Sequence, residues 1–198
     1  MSVLAQKNIL IGVSGGIAAY KIPLLIRQLV KLNSNVKVVM TPTSKEFVTP
    51  LTLSTVSKNE VFSEFTTEKN SNPTWNNHVE LAEWADIFII APATSNTISS
   101  MSSARCDNLL LACYLSSTCP VFVAPAMDLE MYKNTLNQKN IKKLISNKTD
   151  VLPVGTGSLA SGLDGEGRML EPDEIIAYVE NKFKEILPLN SLNFLITA

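Results

Sequence analysis

The chain has 198 residues, of which 45% are hydrophobic, and a formal net charge of −1 at pH 7. This length and composition suit one globular domain with a sizeable core and exclude a disordered chain. The near-neutral charge gives no electrostatic reason to expect nucleic acid or an anionic membrane as a partner. No apolar run is long enough to cross a bilayer. The three cysteines lack metal-ligand spacing with His78, so we expect reduced thiols in a cytoplasmic protein and no metal site.

Short apolar runs alternate with longer helical patterns along the chain. Five runs predict strands, at residues 8–13, 36–40, 87–90, 121–123 and 151–154. The apolar periodicity of residues 16–31 predicts the first helix. Continuous apolar strands separated by helices indicate a parallel sheet covered on both faces. The predicted fold class is therefore α/β, a doubly wound parallel sheet in a flavodoxin/Rossmann-like three-layer sandwich.

Two segments depart from this alternation. Residues 66–77 are polar, contain Pro73 and lack periodicity, which predicts a mobile loop. After Pro188 an apolar run at residues 193–198 predicts a strand with no element following it. We therefore expect residues 1–187 to form one domain and residues 188–198 to be a linker and the first strand of a second, truncated domain. The alternative is an edge strand added to this sheet or to a neighbouring subunit.

A glycine-rich turn follows the first strand. Gly12, Ser14, Gly15 and Gly16 precede a predicted helix, where backbone N–H groups can approach a phosphate and the helix N-terminus favours its charge. The spacing is not G-x-G-x-x-G, and residues 40–44 lack the acidic residue that would hold an adenosine ribose. The pattern favours a mononucleotide over NAD. A tight turn that serves only close packing is the alternative.

Hydroxyl and amide side chains follow the next two predicted strands. They are Thr41, Thr43 and Ser44 after the second strand, and Thr94, Ser95, Asn96 and Thr97 after the third. Several strand ends that bring such groups to one crevice suit a phosphorylated ligand. Taken singly, Ser44 and Thr94 also fit ordinary helix caps.

Three further positions carry side chains suited to chemistry. His78 is the only histidine and lies beside the predicted loop, where imidazole could transfer protons, although a solvated or capping residue is the alternative. Asp128 follows a predicted strand but also stands where a helix N-cap belongs. The glycine-rich residues 155–169 predict a flap over a ligand, in which Arg168 is suited to contact an anion. The alternative is an ordinary surface loop.

An ordered set of segments resembles a known family. The segments are residues 12–21, 40–51, 78–82, 91–97, 107–110, 125–128 and 162–169. Through them the chain resembles the homo-oligomeric flavin-containing cysteine decarboxylases. It is most similar to the branch that converts 4'-phospho-N-pantothenoyl-L-cysteine to 4'-phosphopantetheine and CO2 in coenzyme A biosynthesis. In that branch the decarboxylase is joined to a C-terminal ligase, and residues 195–198 resemble the first strand of the ligase.

The resemblance implies FMN at a subunit interface of a homo-oligomer, a trimer or a dodecamer. It assigns FMN binding to Ser14, Gly15, Gly16, Thr41, Thr43, Ser44, Thr94, Ser95, Asn96, Thr97 and Ala126. It also implies that His78, the active-site histidine, acts in catalysis together with Ser161 and Asp128, and that Asp128, Met127 and Arg168 contact the substrate. Ser161 stands where many members carry a cysteine that donates a proton.

The chemistry implied by the resemblance is oxidation of the substrate thiol to a thioaldehyde by the flavin, followed by loss of CO2 as a stabilised enethiolate. Two residues depart from the family pattern, because Asp128 replaces an asparagine and Ser161 replaces the cysteine. Either Asp128 is protonated by burial beside another acid, or it holds its loop and a neighbouring N–H. A hydroxyl is a far poorer acid than a thiol. We therefore expect oxidation and CO2 release to survive, and reduction of the enethiol to be the affected step.

Three other functions stay open on the sequence alone. They are a flavin prenyltransferase, a non-catalytic FMN-binding or regulatory subunit, and a plain nucleotide-binding module. Residues 125–128 and 167–169 fit the decarboxylase better than the prenyltransferase.

Overall fold

The computed structural model describes residues 2–69 and 72–186. Its strands, in chain order, are β1 (Asn8–Val13), β2 (Asn35–Met40), β3 (Val61–Phe62), β4 (Thr66–Lys69), β5 (Asn72–Trp75), β6 (Ile87–Ala93), β7 (Val121–Pro125), β8 (Asp150–Val151), β9 (Gly155–Ser158) and β10 (Asp164–Arg168). Its α-helices are α1 (Ile22–Lys31), α2 (Pro50–Ser57), α3 (His78–Trp84), α4 (Ser95–Ser102), α5 (Leu109–Ser116), α6 (Leu129–Lys133), α7 (Thr135–Ser146) and α8 (Pro172–Glu185). Two 3-10 turns lie at Ile17–Lys21 and Pro42–Glu46.

Within the described residues the central sheet has six strands in the order β3-β2-β1-β6-β7-β8, and each neighbouring pair is parallel. The chain builds outward from β1 to β3, returns to the other side at β6, and continues to β8. The connection therefore reverses between β1 and β6, which is where open α/β sheets bind their ligands. The predicted doubly wound fold is confirmed.

Side chains of successive residues in β1 pack on opposite faces of the sheet. Ile9 and Ile11 belong to a core with α1, α2 and α8, whereas Leu10 belongs to a second core with α3, α4, α5 and α7. This alternation gives three layers. Each fully buried Leu or Ile contributes about 1.5–3 kcal/mol to the free energy of folding.

Two of the predicted elements are shorter in the structure because of proline. The helix predicted over residues 16–31 divides into a 3-10 turn and α1, since Pro23 has no N–H to donate to the carbonyl of Ala19. The strand predicted at residues 151–154 ends at Val151, before Pro153, whose nitrogen cannot join a ladder.

The loop prediction for residues 66–77 is wrong, because β4 and β5 pair there as an antiparallel hairpin. Phe65 and Trp75 stack with ring centroids 5.6 Å apart, and the Asn76 side chain donates a hydrogen bond to the Glu64 carbonyl at 2.8 Å. The flap predicted over residues 155–169 is likewise built around a hairpin, β9 paired with β10. The predicted linker and strand at residues 188–198 lie outside the described residues.

No helix in the described parts of the chain is both long and apolar enough to cross a membrane. Residues 2–69 and 72–186 also contain no group of three or more His, Cys, Asp or Glu side chains that could hold a metal ion.

Candidate functional site

A cavity of about 620 Å³ lies beyond the carboxyl ends of the central strands. The turn after β1, the loop after β6 and the loop after β7 form its walls, and the β9–β10 hairpin adds a further wall. The predicted site residues that line it are Gly15, Gly16, Thr94, Ser95, Asn96, Ala126, Met127, Asp128, Ser161 and Arg168. The structure therefore brings together residues from four separate parts of the chain at the switch point of the sheet.

A second cavity of about 240 Å³ shares Gly15, Thr94 and Asn96 with the first. Hydroxyl and amide side chains dominate its wall, and these are Thr41, Thr43, Thr94, Thr97, Ser100, Asn96 and Asn108. Such groups can donate hydrogen bonds to phosphate or hydroxyl oxygens of a ligand. Ser100, Asp107 and Asn108 were not predicted as site residues, although residues 107–110 belong to the family-like segments.

The glycine turn after β1 is packed too closely for a larger residue at Gly15. A Cβ there would lie 2.6 Å from Thr43 Oγ1, and one at Gly16 would lie 3.1 Å from Thr94 Cγ2. Gly16 also begins the 3-10 turn at Ile17–Lys21, and no side chain of the described residues caps it. The first N–H groups of this turn are therefore available to a ligand.

Ser14 and Ser44 line neither cavity, because both are buried and bonded to backbone. Ser14 Oγ donates to the Pro92 carbonyl at 2.6 Å and accepts from the Thr94 N–H at 3.1 Å. Ser44 Oγ donates to the Thr41 carbonyl at 2.7 Å. These hydroxyls hold the loops after β6 and β2 in shape.

Asp128 caps the short helix α6, since its Oδ1 accepts a hydrogen bond from the Leu129 N–H at 2.7 Å. The N–H of the preceding Met127 donates to the Gly167 carbonyl at 3.0 Å, which ties this loop to β10. The sequence left two roles open for Asp128. The structure contains the contact that one of them requires, the hydrogen bond by which Asp128 holds its loop and a neighbouring N–H.

Ser161 lies exposed in the turn between β9 and β10 and lines the larger cavity. Its Oγ accepts one long hydrogen bond, 3.5 Å from the Leu163 N–H. Because this contact is weak, the hydroxyl can turn toward a ligand in the cavity.

His78 is separated from the other predicted site residues and lines neither cavity. It begins α3, with its ring edge-on to Phe65 and Trp75 at centroid distances of 6.3 and 6.4 Å. Its Nδ1 is buried and has no hydrogen-bond partner among the described residues. One chain by itself does not bring this imidazole to the cavity.

Lys21 is a cavity residue that the sequence did not identify. It is 5% exposed, and its Nζ donates to the Met169 carbonyl at 3.0 Å and to Glu171 Oε1 at 2.8 Å. Arg168 Nη2 donates to the same Glu171 oxygen at 2.9 Å. These contacts, the Lys21 bond first, lower the pKa of the Glu171 carboxyl. The sequence signal that could have identified Lys21 is the presence of a lysine within the apolar face of the first predicted helix.

The pattern of the Flavoprotein family matches residues 2–184. The chain belongs to the Flavoprotein family. The coenzyme A biosynthesis bifunctional protein CoaBC of Bacillus subtilis is 39% identical in an alignment of 198 positions that covers 99% of this chain and 48% of that protein. CoaBC of Vibrio cholerae is 43% identical over 183 residues, 92% of this chain and 45% of that protein. The chain thus spans about half the length of these relatives.

Two solved structures illustrate the similarity in fold. A cysteine-to-serine mutant of PPC decarboxylase complexed with pantothenoylaminoethenethiol has a TM-score of 0.79 and 31% identity, covering 90% of this chain and 99% of that one. Epidermin biosynthesis protein EpiD from Staphylococcus aureus has a TM-score of 0.76 and 28% identity, covering 87% of this chain and 99% of that one. The family predicted from the sequence is confirmed.

Proposed function

We propose that this chain is an FMN-dependent decarboxylase that converts 4'-phospho-N-pantothenoyl-L-cysteine to 4'-phosphopantetheine and CO2 in coenzyme A biosynthesis. The observation that carries this proposal is the pair of cavities at the switch point of the sheet, one large and one lined by hydroxyl and amide groups. The likeness to CoaBC proteins and to a PPC decarboxylase supports it. These relatives do not favour the prenyltransferase or the non-catalytic FMN-binding subunit.

The residues of the two cavities fit FMN. The close approach at Gly15 and the uncapped N–H groups after Gly16 suit a phosphorylated ligand. The groups that would hold FMN are Gly15, Gly16, Thr41, Thr43, Thr94, Ser95, Asn96, Thr97 and Ala126. Ser14 and Ser44 would act through the loops that they brace. When bound, FMN supplies the two-electron oxidation of the substrate thiol that makes loss of CO2 possible.

The remaining cavity residues would handle the substrate. Asp128 fixes the loop whose Met127 lines the cavity, and Arg168 offers a guanidinium to an anionic group. Ser161 would relay a proton to the product, slowly, because its hydroxyl is a weak acid. We further propose that His78 serves the cavity of a neighbouring copy in a homo-oligomer, a trimer or a dodecamer.

We propose, as for CoaBC, that residues 188–198 lead from the decarboxylase domain of residues 1–187 into a ligase domain in a cytoplasmic protein. Residues beyond Ala198 in the source gene, if they encode such a domain, would support this. A stop codon directly after Ala198 would contradict it.

The central test of the function mixes the purified yellow protein with 4'-phospho-N-pantothenoyl-L-cysteine and measures CO2. We expect CO2 to be released in proportion to the substrate consumed, and only by protein that contains bound FMN. Protein that binds no FMN, or yellow protein that releases no CO2 from this substrate, would contradict the proposal.

Ser161 gives a separate prediction about the last step. Replacing Ser161 with Cys supplies a stronger acid, since a thiol has a pKa of roughly 8.5. We expect the Ser161→Cys variant to form 4'-phosphopantetheine faster, while CO2 release changes little. Single-turnover chromatography that separates the enethiol from the thiol product measures this. If Ser161→Ala forms the thiol at the wild-type rate, Ser161 has no part in the mechanism.

A further inference from the structure

Two cationic side chains meet one carboxylate oxygen at the wall of the larger cavity. Lys21 and Arg168 both line this cavity. Glu171 Oε1 accepts from Lys21 Nζ at 2.8 Å and from Arg168 Nη2 at 2.9 Å. Lys21 comes from the 3-10 turn after β1, whereas Arg168 and Glu171 flank the end of β10, so the contact joins two distant parts of the chain.

The charges of this cluster do not cancel. Lys21 and Arg168 bring two positive charges, and Glu171, held ionised by its lowered pKa, brings one negative charge. Lys21 is 5% exposed, and a buried ammonium is costly unless it has charged or polar partners. Both hydrogen-bond partners of Lys21 Nζ among the described residues, Met169 and Glu171, follow β10, so the cluster of Lys21, Arg168 and Glu171 carries one net positive charge at this part of the cavity wall.

We propose that Lys21 and Arg168 form the subsite for the phosphate group of the substrate, and that Glu171 is a positioning residue that aims both cations. This inference rests on the proposed function. It assigns to Lys21 and Glu171 a role in recognising the phosphorylated end of the substrate.

The phosphate suits this pair better than the carboxylate of the substrate does. The carboxylate loses its charge as CO2 forms, so two cations bound to it would stabilise the reactant more than the transition state. The phosphate keeps its charge throughout the reaction. Contacts to it lower KM without a penalty in kcat, and a dianion matches two donors on separate side chains.

Equilibrium binding tests this subsite without relying on turnover. The FMN-loaded protein is titrated calorimetrically with 4'-phosphopantetheine and with pantetheine, which differ only in the phosphate. We expect the wild type to prefer the phosphorylated compound, and Lys21→Met and Arg168→Met to bind it at least about tenfold more weakly. Binding of pantetheine should stay within about twofold of the wild type.

Conservative and control variants separate positioning from folding. Glu171→Gln should weaken binding of 4'-phosphopantetheine and raise KM while kcat is retained, and Lys21→Arg should restore part of the Lys21→Met loss. The matched control is Glu174→Gln. The Glu174 carboxylate lies in the same helix turn and accepts a hydrogen bond from the Glu171 N–H, but it bonds neither Lys21 nor Arg168. We expect Glu174→Gln to keep the wild-type preference for the phosphorylated compound.

The outcomes are distinct. The Arg168 side chain is partly exposed, so the fold should tolerate Arg168→Met. If this variant binds 4'-phosphopantetheine and pantetheine more weakly by the same factor, the proposed subsite is wrong. An unchanged preference in Lys21→Met would also overturn it. If the wild type binds 4'-phosphopantetheine selectively through these cations but releases no CO2, the subsite stands and the proposed function fails.

Discussion

At the scale of the residue, Gly167 illustrates how closely the cavity loops approach each other. Its φ is +128°, and a Cβ would lie 2.3 Å from the Met127 carbonyl oxygen. Its own carbonyl accepts the Met127 N–H. The contact between β10 and the loop after β7 therefore depends on the absence of a side chain at this position.

Gly167→Ala should destabilise the fold. The backbone conformation alone costs about 1–3 kcal/mol, and the clash with Met127 adds to this. The matched control is Gly162→Ala, because Gly162 has a φ of +84° but no heavy atom within 4 Å of a Cβ. That change should cost about 1–2 kcal/mol, from conformation only. Urea unfolding measures both, and equal losses would contradict the packing of β10 against Met127.

The cysteines give a prediction about ionisation. Burial raises the pKa of Cys113 to about 12 and that of Cys119 to about 11, whereas Cys106 is exposed. Iodoacetamide at about pH 8.5 should therefore modify Cys106 alone in the folded protein and all three thiols in urea, because the thiolate is the nucleophile. Mass spectrometry counts the adducts. Rapid modification of Cys113 in the native protein would show that the second core is open.

The same pKa shifts predict how stability depends on pH. The folded chain holds the Cys113 and Cys119 protons more tightly than the unfolded chain, whose thiols titrate near 8.5. This contribution is fully present below about pH 8 and declines as the pH rises toward 11. Urea unfolding of Cys113→Ala, compared with the wild type across this range, should show a smaller decline.

At the scale of the element, the hairpin of β9 and β10 is anchored along β10 and free at its turn. Met127 and Lys21 both bond to backbone carbonyls in or next to β10, and Leu129 lies so close that a Cβ at Gly165 would meet it at 2.6 Å. The turn that carries Ser161 is closed by its own bond from the Leu159 N–H to the Leu163 carbonyl. Any closure over a ligand would thus involve the turn more than the strands.

The sequence predicted those elements whose signal is local. The β1 strand has its predicted bounds of Asn8–Val13, because a continuous apolar run bounded by a glycine turn is sufficient to specify it. The β4–β5 hairpin was missed, since its stability depends on Phe65 stacking with Trp75 rather than on alternation within either strand. The predicted flap gained a defined structure from contacts to α6 and to Lys21.

The sequence predicted the site residues that directly follow strands. It did not predict the contacts between residues that are far apart in the sequence. Thr94 and Ala126 follow buried strands, so their convergence follows from a parallel sheet. Lys21 and Met169 are 148 positions apart, and no periodicity reports such a contact. The position of His78 outside both cavities also could not be read from its place beside a polar segment.

At the scale of the whole molecule, an exposed apolar stripe lies beside the cavity. Ile17, Tyr20 and Leu24 follow one another at helical spacing and are 59%, 61% and 53% exposed, and the first two also line the cavity. Contiguous exposed apolar surface of this kind is typical of protein interfaces. Together with the position of His78, it supports the proposed homo-oligomer with shared sites.

Shared sites predict complementation between two inactive variants. His78→Asn keeps its cavity but lacks the imidazole, and Ala126→Trp fills its cavity but keeps His78. Coexpression should restore about a quarter of wild-type CO2 release. In randomly mixed oligomers, this is the fraction of sites that combine an open cavity from one copy with an intact His78 from its neighbour. A mixture as inactive as its parts would show that the site is not shared.

The most direct measurement is a crystal structure of the flavin-loaded protein. We expect density for the isoalloxazine ring in the cavity bounded by Gly15, Thr94 and Ala126, with a histidine from a neighbouring copy beside it. A ring bound elsewhere on the chain, with this cavity closed by packed side chains, would contradict the account.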